Sequence, residues 1–304
     1  HLSIRRQRQM CIRDSSCTVR LNELMSGHTS FKIGGPADIL VLPESIEQLR
    51  EVLKVVKETV VPLTLLGNGS NVLVRDKGIR GIVIKLGNML RHFYEAEDLL
   101  VFGSGYSLAL ASYKAMECGR TGMEFAVGIP GSIGGAVYMN AGAYDGEMQN
   151  IVNCVKVMDL QGNERVLTAE ELNFGYRKTS LQNSGLIVTE VTLKMPSGNK
   201  DEIKSKMDDF SHRRISKQPL EMPSAGSMFK RPPGYFAGTL IDQAGLKGYT
   251  VGGAQISTKH AGFVVNVGGA TAADVLQLIK DVQTKIKAGV GVELQPEVLV
   301  IGEE

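Results

Sequence analysis

The strongest candidates for a ligand-binding site in this chain are glycines grouped in two short segments. The longer segment spans residues 128–142, and the shorter spans residues 66–71, directly after the apolar run 60–65. Grouped glycines leave backbone amides uncovered and permit positive φ, so a flat or anionic ligand can lie against the main chain. A phosphate-binding loop typically follows a strand, as the shorter segment does. Together the two segments favour a cofactor cradle over a pair of tight buried turns.

Neither segment carries a common nucleotide-binding fingerprint. No G-x-G-x-x-G opens a helical pattern with an acidic residue about 20 positions later, which disfavours dinucleotide binding on a parallel sheet. No G-x-x-x-x-G-K-[ST] occurs in the sequence, which disfavours a kinase or an NTPase. A cofactor on these glycines would therefore be bound by a different kind of domain.

Composition favours small-molecule chemistry in a globular chain. The 304 residues are 43% hydrophobic and 22% charged, with a net charge of +2, which is enough to bury a large core and to form two or more domains. The mixed charges predict no nucleic-acid or membrane partner, and no obligate protein partner is indicated. The four cysteines show neither metal-ligand spacing nor a disulfide framework, so we expect no metal site and a reducing, cytoplasmic location.

Composition shifts predict two domains after a leader. Residues 1–18 are basic without periodicity, which indicates a non-native or disordered leader; a basic arm for an acidic partner is the less favoured alternative. Residues 19–197 are predicted to form a cofactor domain and residues 198–304 a smaller substrate domain, with the boundary at the polar turn 197–199.

Periodicity predicts an α+β fold for both domains. Ser45 stands where a helix N-cap is expected, with Gln48 at the capping-box position, and Gly119 ends a second helical pattern. The other predicted helices are 200–217 and 272–287. The predicted strands are 39–42, 63–66, 71–74, 82–84, 99–102, 152–160, 164–167 and 187–193, with further strands around 227 and at 262–266.

Six short motifs occur in the order typical of one family of flavoenzymes. They are residues 67–74, 128–135, Tyr176-Arg177, 223–232, 259–263 and 296–298. The chain, from about Leu21 to Ile301, resembles the UDP-N-acetylenolpyruvoylglucosamine reductases of peptidoglycan precursor synthesis. The first three motifs lie in what resembles a PCMH-type (vanillyl-alcohol-oxidase-like) FAD-binding domain, and the last three in the reductase C-terminal domain. The short segment between Arg177 and Ser227 is similar to the type II form.

The resemblance implies reduction of an enolpyruvyl ether of a nucleotide sugar to a lactyl ether, with non-covalent FAD and with NADPH as the hydride donor. It implies Arg177 as the partner of the substrate carboxylate, Ser227 as the proton donor, and Glu297 as a group that polarises the developing enolate. A serine hydroxyl is a weak acid, and Lys230, Lys217 or a bound water could assist it. The sequence does not choose among these three.

The resemblance also implies the binding residues. We expect the FAD pyrophosphate on the amides of residues 67–71 and 131–136, and substrate contacts at Tyr144, Lys217 and Arg231. We expect His260 to be structural, with its ring beside Gly262. The predicted cofactor-binding residues are Gly67, Asn68, Gly69, Ser70, Asn71, Gly128, Pro130, Gly131, Ser132, Gly134, Gly135, Ala136, Asn140 and Ala141.

One residue departs from the family pattern, and two other functions are alternatives to the reductase. Leu299 stands where the family commonly has a basic residue, which raises the question of how the Glu297 segment is anchored. A small-alcohol oxidase using FAD is the runner-up on the same fold, and the Ser227 and Glu297 motifs argue against it. A nucleotide-sugar or flavin-binding module without turnover is the alternative from another class, and the three filled catalytic positions argue against that.

Overall fold

The computed structural model describes residues 17–59, 61–86 and 90–304. The predicted leader at 1–18 therefore lies outside the described residues except for its last two, and Thr18 already begins a strand. Among the described helices, none combines the length and the apolar character that a bilayer span requires. The helices are α1 Ile46–Thr59, α2 Leu108–Glu117, α3 Ile133–Tyr138, α4 Lys200–Lys217, α5 Ala237–Gln243 and α6 Ala272–Val290.

The helix ends follow local capping chemistry. In α1 the amide of Gln48 donates to Oγ of Ser45 at 3.2 Å, as predicted, but Oε1 of Gln48 accepts from the amide of Glu44. The capping interaction is therefore displaced by one residue from a standard capping box. Helix α2 ends before Gly119, whose φ of +66° confirms it as the left-handed residue after the helix.

The strands of the described residues form three larger sheets and two strand pairs. The strands are β1 Thr18–Leu24, β2 Pro36–Leu42, β3 Leu63–Leu66, β4 Val72–Val74, β5 Ile79–Lys85, β6 Phe93–Ala96, β7 Leu99–Gly103, β8 Gly142–Ala143, β9 Gly146–Glu147, β10 Val152–Met158, β11 Glu164–Thr168, β12 Ile187–Lys194, β13 Ser224–Ser227, β14 Thr250–Val251, β15 Ala254–Ile256, β16 Phe263–Asn266 and β17 Leu299–Ile301. They form sheets of order β1-β2-β5-β3, β11-β10-β12-β7-β6 and β13-β16-β15-β14, and the pairs β17-β4 and β8-β9.

The chain divides into two compact units, and both are discontinuous in sequence. The first unit takes the described residues up to Leu21 and those of 39–68 and 81–212, and the second takes 22–38, 69–80 and 213–304. The domain boundary predicted at 197/198 lies inside the first unit, because Ile203, Met207 and Phe210 of α4 pack in a cluster with Val127. Segment 69–80 belongs to the second unit, where β4 pairs in parallel with β17.

The first unit buries two large apolar clusters. One lies between the five-stranded sheet and helices α2 and α3, with Phe102, Ile133 and Val155 fully buried in it. The other is formed by α1 on the first sheet, where Leu49, Val52 and Leu53 are buried against the strands. Burial of such side chains contributes roughly 1.5–3 kcal/mol each, and it fixes the helices that carry the longer glycine segment.

The second unit has an apolar core between the sheet β13-β16-β15-β14 and helix α6. Val275, Leu278 and Val282 of α6 are fully buried in the same cluster as Val264 of β16. Helix α6 begins with a complete capping box of Thr271 and Asp274 and ends at Gly291. The prediction of this helix is confirmed, and the structure extends it to Val290.

Candidate active site

The longer glycine segment is only partly a loop. Gly128 and Gly131 have φ of +70° and +133°, as expected of a glycine loop, but helix α3 starts directly after Ser132, which is its N-cap. Two glycines in the first turn disfavour a helix by up to about 1 kcal/mol each. Helix α3 forms nevertheless, with Ser132 as its N-cap and with Ile133 and Val137 buried. Gly134 packs on Ser104 so closely that an added Cβ would lie 2.7 Å from Cβ of that serine.

Adjacent alanine substitutions in α3 are expected to have opposite outcomes. Gly134→Ala should lower the free energy of unfolding by about 1–3 kcal/mol, since the new methyl group overpacks against Ser104. Gly135→Ala is the matched control, because its Cβ would meet only Oγ of Ser132 at 3.4 Å, an ordinary contact. Denaturant unfolding of both variants tests this, and equal stability of the two would contradict it.

The two glycine segments lie side by side within the first unit. A Cβ on Gly67 would come within 3.1 Å of Oγ of Ser132, so the two loops that were predicted to share one pyrophosphate do meet at this point. Ser104 adds a buried hydroxyl next to Gly134, and among the described residues its Oγ has no hydrogen-bond partner. Close backbone and a buried polar atom suit a bound polar group such as the cofactor of an FAD-binding domain.

The predicted use of amides in this loop needs a correction. Four amides of residues 131–136 already donate within the protein. The amides of Ile133, Gly134 and Ala136 donate to the carbonyls of Tyr106, Ser104 and Ser132, in that order, and the amide of Gly135 donates to Oγ of Ser132. A pyrophosphate at this loop would therefore have to meet the amides of Gly131 and Ser132 instead.

The shorter glycine loop is divided between the units. Gly67 and Asn68 belong to the first unit, and Gly69, Ser70 and Asn71 belong to the second. Gly69 has φ of +66°, and an added Cβ would lie 2.4 Å from the carbonyl oxygen of His28. Close packing alone thus requires glycine at that position, and the cofactor role of the loop stays a prediction.

Arg177 lies at the tip of a two-residue turn in the first unit. The amides of Gly175 and Lys178 each donate to the other residue's carbonyl, at 2.9 and 3.1 Å. Arg177 itself adopts φ of +55°, which is uncommon for a side chain of this size. Its guanidinium donates to the carbonyls of Asn140 and Gly142 at 3.2 and 3.0 Å. The turn and these two bonds set the direction of the guanidinium.

Tyr144 is held by a residue that the sequence did not indicate. The rings of Tyr144 and Phe210 stack with centroids 4.4 Å apart and planes 14° apart, and the Tyr144 hydroxyl donates to the Phe210 carbonyl at 3.4 Å. Tyr144 and its neighbour Asp145 both have positive φ. Strained backbone of this kind is concentrated at functional sites. A hydrophobic residue at helical spacing gives no signal that it orders a tyrosine far away in sequence.

Ser227 lies on an irregular strand of the second unit. In β13, the register against β16 shifts between Ser224 and Ser227, and Gly226 has φ of +78°. An added Cβ at Gly226 would meet nothing within 4 Å, so glycine is needed there for backbone conformation and not for space. A bulge of this type redirects the following side chain and is common beside active sites. The Ser227 side chain is exposed.

The structure brings Glu297 next to the Ser227 strand. The amide of Glu297 donates to the carbonyl of Met228 at 2.8 Å, and the amide of Lys230 donates to that of Gln295 at 2.8 Å. Met228 also donates to Gly262, so the segment after Ser227 is bonded on both sides. Two of the three predicted catalytic residues are therefore neighbours in the second unit, and Arg177 belongs to the first unit.

Backbone contacts anchor the Glu297 segment. Nδ2 of Asn71 donates to the carbonyl of Glu297 at 3.3 Å, and the amide of Leu299 donates to the carbonyl of Asn71 at 3.0 Å. Leu299 then pairs with Val72 between β17 and β4. This arrangement answers the question raised by Leu299, because the anchoring uses its main chain and does not require a basic side chain.

The two cationic candidates for substrate binding are exposed in the second unit. Lys217 is the last residue of α4, and the Arg231 guanidinium lies 4.0 Å from the centroid of the Phe236 ring. The His260 ring lies beside Gly262, as predicted, and its Nδ1 accepts from the amide of Gly262 at 3.0 Å. Burial lowers the pKa of His260, and the charges of Lys247 and Lys217 lower it further. No group of His, Cys, Asp and Glu in the described part of the chain could hold a metal ion.

Comparison with known proteins identifies two domains. Residues 37–168 match the profile of an FAD binding domain, and residues 218–301 match the UDP-N-acetylenolpyruvoylglucosamine reductase, C-terminal domain. The UDP-N-acetylenolpyruvoylglucosamine reductase of Clostridioides difficile (strain 630) is 49% identical over 286 residues, 94% of each chain. That of Clostridium perfringens (strain SM101) is 51% identical with the same coverage.

A solved structure agrees with these relatives. The crystal structure of UDP-N-acetylenolpyruvylglucosamine reductase from Thermus caldophilus matches with a TM-score of 0.78 and 38% identity, and the match covers 93% of this chain and 98% of that one. The α+β fold with an FAD-binding domain and a reductase C-terminal domain is therefore confirmed. Since relatives about half identical span nearly its whole length, the chain belongs to the family of UDP-N-acetylenolpyruvoylglucosamine reductases.

Proposed function

We propose that this protein reduces UDP-N-acetylglucosamine-enolpyruvate to UDP-N-acetylmuramate, a step of peptidoglycan precursor synthesis, with non-covalent FAD as cofactor and NADPH as hydride donor. The names of the relatives support the reaction. The observation that carries it in this chain is the pairing of the Glu297 segment with the residues directly after Ser227. That pairing brings the backbone of Glu297 beside the segment that follows Ser227, and a hydroxyl and a carboxylate held close together suit a protonation step.

The reaction adds a hydride to the methylene carbon and a proton to the neighbouring carbon of the enol ether, while negative charge develops on the carboxylate side. When bound, FAD supplies the hydride-transfer chemistry. Ser227 donates the proton from Oγ, which the Gly226 bulge presents to solvent. Glu297 hydrogen-bonds or polarises the developing enolate, and the Arg177 fork binds the carboxylate.

The same proposal assigns the binding residues to the cofactor and to the substrate. The glycine loops around Gly67 and Ser132, which lie side by side, hold the FAD pyrophosphate. Arg231, Lys217 and Tyr144 bind the nucleotide sugar, with Arg231 supported by the Phe236 ring and Tyr144 by the Phe210 ring. We place the protein in a reducing compartment such as the cytoplasm, because its four cysteines show no disulfide framework in the sequence.

The absorption spectrum of the purified protein is the first test. We expect a yellow protein whose colour passes entirely into the supernatant after acid or heat precipitation, since neither glycine loop contains a His or Cys that could tether a flavin. Flavin that stays with the precipitated chain would contradict non-covalent binding. A colourless protein that free FAD does not reconstitute would contradict the cofactor itself.

Stepwise anaerobic addition of the reactants tests the reaction. NADPH should bleach the flavin absorbance, and the enolpyruvyl nucleotide sugar should then restore it with formation of the lactyl ether. If only oxygen restored the absorbance, and a small alcohol replaced NADPH, the protein would be an oxidase. If NADPH bleached nothing while the nucleotide sugar still bound, the protein would be a binding module without turnover.

A further inference from the structure

Asn140 was predicted to bind the cofactor, but its side chain is engaged inside the first unit. The residue is fully buried. Its Nδ2 donates to Oε2 of Glu147 at 3.2 Å and to the carbonyl of Gly175 at 3.0 Å, and its Oδ1 accepts from the amide of Gln149 at 3.0 Å. A carboxamide has two N–H groups, and both are directed at protein acceptors. A role in holding the surrounding loops fits this geometry better than a contact to FAD.

Asn140 contacts the Arg177 turn from two directions. Its side chain donates to the carbonyl of Gly175, the residue whose amide and carbonyl close the turn. Its own carbonyl accepts from the Arg177 guanidinium at 3.2 Å. One residue thus fixes both the base of the turn and the side chain at its tip.

The backbone at both positions is strained in a way that needs such support. Asn140 has φ of +43° and Arg177 has φ of +55°. A non-glycine residue in the left-handed region costs on the order of 1–3 kcal/mol, although asparagine tolerates it better than arginine. Two side chains hold the turn against this cost: Nδ2 of Asn140 donates to the Gly175 carbonyl, and Nε2 of Gln182 donates to the Arg177 carbonyl at 3.1 Å. Of these two bonds, the one from Asn140 fixes the base of the turn, so we expect its loss to let the turn and the guanidinium shift.

We propose that Asn140 is a positioning residue, which orients Arg177 toward the substrate carboxylate and does not bind the cofactor. This inference rests on the role proposed above for Arg177. Because displacement of a binding group by about 1 Å can cost 10²-fold in rate, a small rotation of the guanidinium is enough to impair the reaction.

The test compares Asn140→Asp with Asn173→Asp. The first replaces Nδ2 by an oxygen that faces the Gly175 carbonyl and the Glu147 carboxylate, so the turn loses its donor. Asn173 has the same φ of +43° and is exposed, so it controls for the same chemical change at a left-handed asparagine. We expect Asn140→Asp to raise KM for the enolpyruvyl nucleotide sugar and to lower kcat, about 10–10²-fold in kcat/KM, and Asn173→Asp to do neither.

Two further measurements separate positioning from the other roles. The dissociation constant of FAD and the rate of flavin reduction by NADPH should be unchanged in Asn140→Asp; loss of either would assign Asn140 to the cofactor and overturn the proposal. In an Arg177→Ala background, Asn140→Asp should have no further effect on kcat/KM, because the group it orients is already absent. Fully additive effects of the two substitutions would also overturn it.

A second variant covers the case in which Asn140→Asp does not fold. Adding Glu147→Gln supplies an N–H donor to the new carboxylate and removes the like charge, while the contact with Gly175 stays lost. This double variant should fold and still show the reduced kcat/KM; normal turnover would contradict the proposal. Failure of the proposed function is recognised separately, since the unaltered protein would then not reduce the nucleotide sugar at all.

Discussion

Ser227→Ala is expected to leave folding, FAD binding and flavin reduction by NADPH close to normal, while the return of flavin absorbance on addition of the enolpyruvyl nucleotide sugar slows by about 10²–10⁴-fold. The reason is that Ser227 is proposed to supply only the proton. The hydroxyl is exposed, so its removal disturbs little packing. Rapid mixing of the pre-reduced protein with the substrate measures the effect directly.

Two companion variants sharpen this expectation. Ser227→Cys keeps a proton on a larger and more acidic atom, so it should recover part of the lost rate. Ser224→Ala, at the start of the same strand and before the bulge, should react normally. An alanine variant at 227 that reoxidises at the parent rate would mean that the proton comes from elsewhere, with a water bound by Glu297 as the next hypothesis.

Arg177→Ala is expected to lower kcat/KM for the nucleotide sugar by about 10²–10⁴-fold, because a guanidinium fork makes two charge-assisted hydrogen bonds to a carboxylate, each contributing about 1.5–3 kcal/mol. Arg177→Lys should recover little of this, since an ammonium group does not reproduce the planar fork. Steady-state kinetics with varied substrate, together with flavin reduction by NADPH as the step that should not change, measures the loss.

The strained backbone at Arg177 provides the control for this experiment. Arg177→Gly removes the side chain and also relieves the φ of +55°, so it should match Arg177→Ala in kcat/KM but be more stable by about 1–2 kcal/mol. Lys178→Ala, at the exposed neighbour in the turn, should keep normal kinetics. If the glycine and alanine variants differed widely in kcat/KM, the conformation of the turn and not the guanidinium would be the main contributor.

Local signals in the sequence were sufficient to predict the helices and strands that bury one apolar face. Ser45 and Gln48 predicted the start of α1, Gly119 the end of α2, and the charged pattern at 200–217 the bounds of α4. In each case the signal lies within a few residues of the element that it specifies. The hairpin of β10 and β11 was predicted for the same reason, from the turn at 161–163.

Elements without such a local signal were missed. Helix α3 starts in a glycine-rich run whose intrinsic preference is not helical, and the close packing of Gly134 on Ser104 is a tertiary contact that no local pattern records. Helix α5 and the short strands β14 and β15 were also not predicted. The division into units was likewise beyond local patterns, because segment 69–80 joins the second unit through long-range contacts such as the pairing of β4 with β17.

The sequence alone determined the kinds of residue that act in this protein: the two glycine loops, the Tyr176-Arg177 pair, the serine motif and the Pro-Glu motif near the end of the chain, and through their order the family. Only the tertiary structure decided how they are held. It bonded the backbone of Glu297 to the residue after Ser227, used Asn71 to anchor that segment, and directed Asn140 at the Arg177 turn. These contacts join residues 35 to more than 200 positions apart, and the hydrogen bonds form only when packing brings the segments together, so no local pattern records them.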